Sequence, residues 1–185
     1  MKLLRIINTF AGAFIFLTLS SLSSHAQDLE TPPPGKVILT VSGAINASKE
    51  PGTAAQKDPS QQNTVSFDRT MLEASGLTKI ITETPWTKGL VEFEGVLARN
   101  LFAKIDATGK SVQARALDDY IVDIPIEDFF EYDVILATRK NGEPITIRDN
   151  GPVWIIYPWT DVSDLRRPQY YSRSIWQLKS LTILP

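Results

Sequence analysis

Short runs that alternate apolar and polar residues, or stay apolar for five or six positions, dominate the chain. Lys36 to Val41 (KVILTV) reads as a first strand. Thr64 to Phe67 predicts a second, and Asp68 offers an N-cap for a helix over Arg69 to Ala74 that Gly76 closes. Leu77 to Thr82 is the next strand. It runs into Glu83-Thr84-Pro85-Trp86, where the proline forces an irregular turn. Val96, Leu97, Leu101, Phe102 and Ile105 fall at helical spacing, and Gly109 follows them. Ser111 to Ala116 and Tyr120 to Pro125 predict two strands joined by Leu117-Asp118-Asp119. One helical turn is expected over Glu127 to Phe130 and a strand over Asp133 to Arg139. Asn141-Gly142 is a hairpin signal. Ile145 to Arg148 leads into a turn at Asp149-Asn150-Gly151-Pro152, and Val153 to Tyr157 (VWIIY) reads as a buried strand. Ser163 to Arg167 has helical character, and Ile175 to Lys179 leads to a last strand at Leu181 to Leu184. Many short strands with a few short helices and no internal repeat predict a single mixed α+β domain.

Three stretches stand outside this pattern. Met1 to Arg5 is basic, Ile6 to Leu22 carries no charge, and Ser24-His25-Ala26 places small residues at both recognition positions of a signal peptidase. The densest apolar part, Ala11 to Leu19, is short for a span, which needs about 20 residues. Residues 1–26 are therefore expected to be a cleaved secretory signal, and the mature chain from Gln27 is expected in the periplasm. Thr31-Pro-Pro-Pro-Gly35 is a stiff lead-in closing the segment 27–35, ahead of a domain over 36–185. Ser42 to Asn63, nearly free of large apolar residues, reads as an exposed, mobile insertion.

Composition removes much chemistry. There is no cysteine, and the one histidine, His25, falls in the expected leader. Thiolate metal sites, iron–sulfur clusters, disulfides, Cys or His nucleophiles and a Ser-His-Asp triad are excluded from the mature chain. Beyond the leader 17 basic side chains face 21 acidic ones, which argues against a nucleic-acid partner.

Four stretches combine aromatic faces with hydroxyls, carboxylates or guanidinium groups at predicted turns and strand ends, where ligands meet rigid scaffolds. They are Thr84-Pro85-Trp86-Thr87, Asp118-Asp119-Tyr120, Arg148 to Pro152 with Tyr157-Pro158-Trp159, and Tyr170 to Trp176. Trp154, amid apolar neighbours, reads as core, and Trp176 as core or wall. Asp118 reads as an ordinary turn residue. Arg148 and Asp149 suit a binding role as well as they suit pairing with each other or capping a turn. Trp86, after a proline in a polar turn, has little apolar sequence around it and suits a pocket. Arg173, beside two tyrosines and two serines, suits a pocket or a surface equally.

These stretches resemble the sulfite-oxidase-type molybdopterin-binding fold. Ile145 to Pro158 (ITIRDNGPVWIIYP) resembles its turn-and-strand segment, and Ser172 to Leu178 the segment that closes around the pterin. Asp119-Tyr120 through Ile124-Pro125 resembles the segment that brings a tyrosine to the substrate pocket, and Glu92 to Ile105 the approach to the family's helix. The match extends over most of Lys36 to Leu184. The enzymes of that family hold molybdenum through a cysteine upstream of the helix; here the corresponding region reads Ile81-Thr82-Glu83-Thr84-Pro85-Trp86. Oxygen donors replace a soft sulfur ligand poorly.

In lacking cysteine, this exported chain is similar to the short periplasmic pterin-binding proteins of the PruR type. That resemblance implies a non-catalytic protein that binds a free di- or tetrahydropterin, without molybdenum. It further implies a report to an inner-membrane signalling protein with a periplasmic domain, a cyclic-di-GMP enzyme or a histidine kinase. The expected ligand contacts are Asp119 and Asp149 as acceptors for the 2-amino and N3–H edge, and Arg148 or Arg173 as donors to O4 and N5. Trp86, Tyr120 and Trp159 are the candidate aromatic shelf, and Thr84, Ser172 and Ser174 the partners of a polyol side chain. Two other readings compete: a molybdopterin-dependent oxidoreductase that retains its cofactor without cysteine, and a ligand-free interaction module.

Overall fold

Two sheets share one hydrophobic core. In the computed structural model the described residues are 35–46 and 63–185, all inside a compact unit spanning Thr31–Pro185. The expected signal segment, the lead-in up to Pro34 and residues 47–62 of the expected insertion lie outside the described residues.

The first sheet has the order β2 (Thr64–Asp68), β1 (Val37–Gly43), β10 (Leu178–Leu184), β5 (Ser111–Ala116), β6 (Ile121–Pro125). The second has the order β3 (Leu77–Thr82), β4 (Val91–Leu97), β7 (Ile135–Lys140), β8 (Glu143–Pro144), with β9 (Trp154–Ile156) also pairing β7. Strands β1 and β10 run parallel, and the other pairs are antiparallel. Alternation explains the pairing faces. In β5, Val112, Ala114 and Ala116 are buried while Ser111, Gln113 and Arg115 are partly exposed. The inward positions of both sheets, among them Leu39, Phe67, Phe93, Val112, Ile155 and Leu181, belong to one continuous buried cluster. The expected α+β class with few short helices is what the structure contains.

Four short helices, α1 (Arg69–Glu73), α2 (Ala98–Lys104), α3 (Glu127–Glu131) and α4 (Pro168–Arg173), lie between strands. Asp68 caps α1 as expected, accepting from the Met71 N–H at 2.8 Å and also from the Gly35 N–H at 2.6 Å. Asn141 and Gly142, both at positive φ, turn β7 into β8. Among the described residues no helix is long and apolar enough to cross a membrane.

Two expectations are corrected. The helical period was expected from Val96, but Val91 to Leu97 is strand β4 and the helix starts at Ala98. The strand is visible in the sequence once Glu92 and Glu94 are read as the outward positions between Val91, Phe93 and Gly95. A Cβ on Gly95 would lie 2.2 Å from the Leu136 carbonyl oxygen, so only glycine permits β7 to approach there. Residues 170–173, expected in a turn or strand end, form most of α4. Its six residues carry no apolar period, and Pro168 at its first turn is the one start signal.

Carboxylates tie the helices down. Glu73 of α1 accepts from Thr138 Oγ1 at 2.7 Å and from Arg139 Nη2 at 2.9 Å. Burial pushes the Glu73 carboxyl up, but hydrogen bonds from Arg139 and Thr138, with the charges of Arg139 and Arg69, outweigh it and hold it below its ordinary value. The Asp68 carboxyl is also held down, chiefly by the Met71 N–H against burial. Asp128 of α3 accepts from Tyr157 Oη and Arg173 Nη1, both at 2.8 Å. Burial pushes the Tyr157 phenol well above its ordinary value, and the Asp128 charge adds to that.

Two outcomes are expected. Because Asp68 and Glu73 titrate lower when folded than when unfolded, their stabilisation is complete above about pH 4–5 and declines as pH falls through their depressed values. Urea unfolding followed from pH 6 to 2.5 should show this decline, and it should be shallower in Glu73→Gln. Arg173→Met strands Asp128 beside Tyr157 and should cost about 2–4 kcal/mol, whereas Arg148→Ala, on an exposed turn, should cost less than about 0.5 kcal/mol. Denaturant midpoints of the two variants decide it.

Candidate functional site

The turn after β3 places Trp86. Thr84 Oγ1 accepts from the Trp86 N–H at 3.2 Å and lies 2.9 Å from Thr87 Oγ1, closing a hydroxyl turn about Pro85. Just upstream, Thr82 and Thr160 clasp each other. Thr82 Oγ1 accepts from the Thr160 N–H at 3.1 Å, and Thr160 Oγ1 from the Glu83 N–H at 3.0 Å. The clasp fixes the turn against the loop that carries Trp159.

Held there, the Trp86 ring has four aromatic neighbours. Its centroid lies 5.1 Å from Trp176, 5.9 Å from Trp154, 6.2 Å from Trp159 and 6.4 Å from Tyr171, in tilted or edge-on contacts. Every tryptophan of the chain is in this cluster. Trp154 and Trp159 are fully buried, whereas Trp86 and Trp176 are each 37% exposed and present faces to solvent. Below them Trp154 is fixed by Ser174: the indole N–H donates to Ser174 Oγ at 3.2 Å, and that hydroxyl donates to the Ile155 carbonyl at 2.6 Å.

The exposed faces wall a cavity of about 330 Å³. Besides Trp86 and Trp176 it is lined by Ala116, Asp118, Tyr120, Tyr171, Ser172, Ser174 and Ile175. Ala116 at the end of β5, Asp118 in the turn that follows and Tyr120 at the entry to β6 all reach this lining. Asp118 is oriented by its own turn, accepting from the Tyr120 N–H at 3.1 Å. Among the described residues it is the one charged residue in the lining, to which no described lysine or arginine contributes.

Of the expected site residues, the structure brings Trp86, Tyr120, Ser172 and Ser174 to this cavity. Ser174 serves mainly as a wall, its hydroxyl being engaged by Ile155 and Trp154, and Ser172 Oγ donates to the Gln169 carbonyl at 2.8 Å. The others lie elsewhere. Asp119, at φ +64°, turns its carboxylate to Arg115 at 3.4 Å. Arg148 and Asp149 sit on an exposed 3-10 turn, where Asp149 accepts from Thr146 Oγ1 at 2.7 Å. Arg173 faces α3, because on α4 it shares a side with Tyr170, over whose ring its guanidinium lies at 5.3 Å; Tyr171 and Ser174 share the other side. Thr84 and Trp159 line a neighbouring cavity behind Trp86.

Ala116, Asp118, Tyr171, Ile175 and Trp176 line the cavity without having been expected as ligand contacts, Asp118 and Tyr171 being the ones with a polar group to offer, and Trp176 is wall rather than core.

Molybdopterin carries a phosphate and, in this family's enzymes, a metal held by a protein thiolate. The chain has no thiol, the described residues of the lining offer no cation to a phosphate, and Asp118 would repel one. Among the described residues no three His, Cys, Asp or Glu side chains are grouped to hold a metal ion. The lining therefore does not fit the complete metal-bearing group. An apolar slot with a single carboxylate fits an uncharged flat ring with adjacent N–H donors.

Comparison with known proteins gives the wider setting. No curated protein sequence matches the chain. Among solved structures, the sulfane dehydrogenase SoxCD of Paracoccus pantotrophus superposes with a TM-score of 0.53 at 17% identity, over 79% of this chain and 37% of that one. The chain thus spans little more than a third of that dehydrogenase chain, and at this identity the likeness is one of fold. The model of the oxidoreductase molybdopterin-binding domain family matches residues 31–162. The chain belongs to that family of oxidoreductase molybdopterin-binding domains.

Proposed function

We propose that the protein is a non-catalytic, periplasmic pterin-binding protein, which reports a free reduced pterin to a signalling protein of the inner membrane. The observation that carries this reading is the lining of the cavity: aromatic faces of Trp86 and Trp176, the phenols of Tyr120 and Tyr171, and one carboxylate without any cation. A pterin is a flat bicycle whose 2-amino and N3–H groups point the same way, so a carboxylate accepts from both. Asp118 takes that role in place of Asp119 or Asp149. Trp86 and Trp176 bound the slot that receives the ring. The family supplies the scaffold that binds a pterin-derived group, and the missing thiol and missing cations leave the pterin half as the part this cavity suits.

Membership of an oxidoreductase family supports a second reading, an enzyme that retains molybdopterin by other donors. Stoichiometric molybdenum in protein purified from its native source would favour it over the first.

Export and the membrane partner rest on the leader pattern and on the resemblance to the periplasmic pterin-binding proteins. Crosslinking in the native cell envelope, with and without pterin supply, tests the partner. A membrane protein with a periplasmic domain should be captured in a pterin-dependent manner.

For the site, calorimetric titration with tetrahydropterin under anaerobic conditions should give saturable one-to-one binding. Asp118→Asn should weaken it about tenfold or more, through loss of a charge-assisted pair of hydrogen bonds. Trp86→Ala should weaken it by a similar factor, through lost ring contact and a disturbed cluster. Asp119→Asn should leave it unchanged. Absence of saturable binding, or wild-type affinity in both Asp118→Asn and Trp86→Ala, refutes the site.

A further inference from the structure

The outward side of the first sheet carries a groove of about 600 Å³ at the start of β1. Leu39 and Val41 are buried in the core, so the alternating positions Ile38 and Thr40 point outward, and both line the groove. Leu117 and the turn at Ile145 to Ile147 contribute further lining. These two pieces are fastened to each other through Gln177. Its Nε2 donates to the Ile147 carbonyl at 2.8 Å, and its carbonyl accepts from the Leu117 N–H at 2.9 Å. Three cations, Lys36, Arg69 and Lys179, reach the groove, and among the described residues no carboxylate lines it. Arg69 is partly engaged, its Nη1 donating to the Thr138 carbonyl at 2.6 Å and lying 3.7 Å from Glu73. Lys36 and Lys179 are exposed and form no ion pair with a described carboxylate. Beside them Val37, Leu117 and Ile147 are 49%, 42% and 50% exposed.

We propose that this groove docks an acidic segment of a partner protein, with carboxylates for Lys36 and Lys179 and apolar side chains for Val37, Leu117 and Ile147. Charge carries the inference. The chain has 21 acidic side chains against 19 basic ones, yet the groove gathers three cations and no described carboxylate. Cations grouped in this way repel one another and raise the local concentration of an anionic partner. Apolar side chains grouped with them mark an interaction surface rather than a solvated face, because covering them removes apolar area from water. The occupant must therefore bring both negative charge and apolar side chains. Its shape follows from the floor. A peptide segment reaches Ile38 and Thr40 at the bottom of the groove, whereas a flat lipid surface meets only the rim. The fastening through Gln177 holds the walls in place before anything binds, which lowers the cost of ordering on association. The groove shares no described residue with the ring cavity, so the inference does not depend on the pterin reading.

Photo-crosslinking of the full chain in its native cell envelope, with a benzophenone side chain in place of Ile147, reads the occupant directly. The crosslinked peptide, sequenced by mass spectrometry, should come from another protein and carry several carboxylates among apolar residues. Lys36→Glu combined with Lys179→Glu should abolish the crosslink while leaving the denaturant midpoint at its wild-type value, both side chains being exposed. A synthetic copy of the captured segment should bind the purified protein, and its affinity should fall about tenfold or more when glutamines replace its carboxylates. The same affinity should fall as salt rises from about 0.05 to about 0.5 M. Capture of a segment without acidic residues, capture of a second copy of this chain, capture that survives the double charge reversal, or no capture at all overturns the proposal. So does charge-dependent binding of the protein to phosphatidylglycerol vesicles with no captured protein. Tetrahydropterin titration of the double variant reports on the other cavity alone, so failure there bears on the ring site and not on the groove.

Discussion

The placement of one tryptophan governs the site. Trp86 sits on a turn that has no secondary structure to hold it, and it would collapse into the core or swing into solvent without restraint. Threonine hydroxyls supply that restraint. Thr84 and Thr87 shape the turn, and the Thr82–Thr160 clasp pins it to the neighbouring loop. The hydroxyls satisfy backbone N–H groups at a place where no strand pairs them, so the turn is rigid at small cost. Tilted and edge-on contacts with four rings then set the angle of the indole. With Trp86 fixed, the cavity has a wall; without it, Trp176 and Tyr171 would face only each other and solvent.

Charge sorts the surroundings of that cavity. The family scaffold is associated with a metal-bearing, phosphate-bearing pterin. In this chain the guanidinium nearest in sequence, Arg173, is drawn to the other side of α4 by Asp128, where it also covers Tyr170. This ion pair is partly buried and shared with the Tyr157 hydroxyl, so releasing Arg173 into the cavity would leave a carboxylate poorly compensated. The same tie that secures α4 to α3 thus keeps this guanidinium out of the cavity lining, in which Asp118 is the one charged residue among those described. A carboxylate facing an apolar slot selects for donors and against anions.

Much of the fold was legible in the sequence. Alternation revealed β5 and β6, the Asn-Gly pair revealed the β7–β8 hairpin, and Asp68 marked the start of α1, because each is a local signal with a local cause. β4 is legible but hidden, because its last residues, Val96 and Leu97, also fit the helical period of α2 and the two patterns overlap there. α4 gave almost no signal, since a six-residue helix is held by what it touches rather than by propensity. The site shows the same division. Trp86 stood out because its proline-bound polar turn supplies no core for it. Asp118 and Asp119 are adjacent and chemically alike, and what separates them is the geometry of the turn, in which Asp119 at positive φ points to Arg115 while Asp118 reaches the cavity. Arg173 was misplaced because its direction depends on α4 existing.

A crystal structure of the protein soaked or grown with tetrahydropterin under anaerobic conditions tests the central claim most directly. The bicycle should lie in the slot between Trp86 and Trp176 with its 2-amino and N3–H edge on the Asp118 carboxylate, and with no arginine or lysine in contact. Density for the pterin at another surface, or a cavity closed by Trp86 and Tyr171 at saturating ligand, would contradict it.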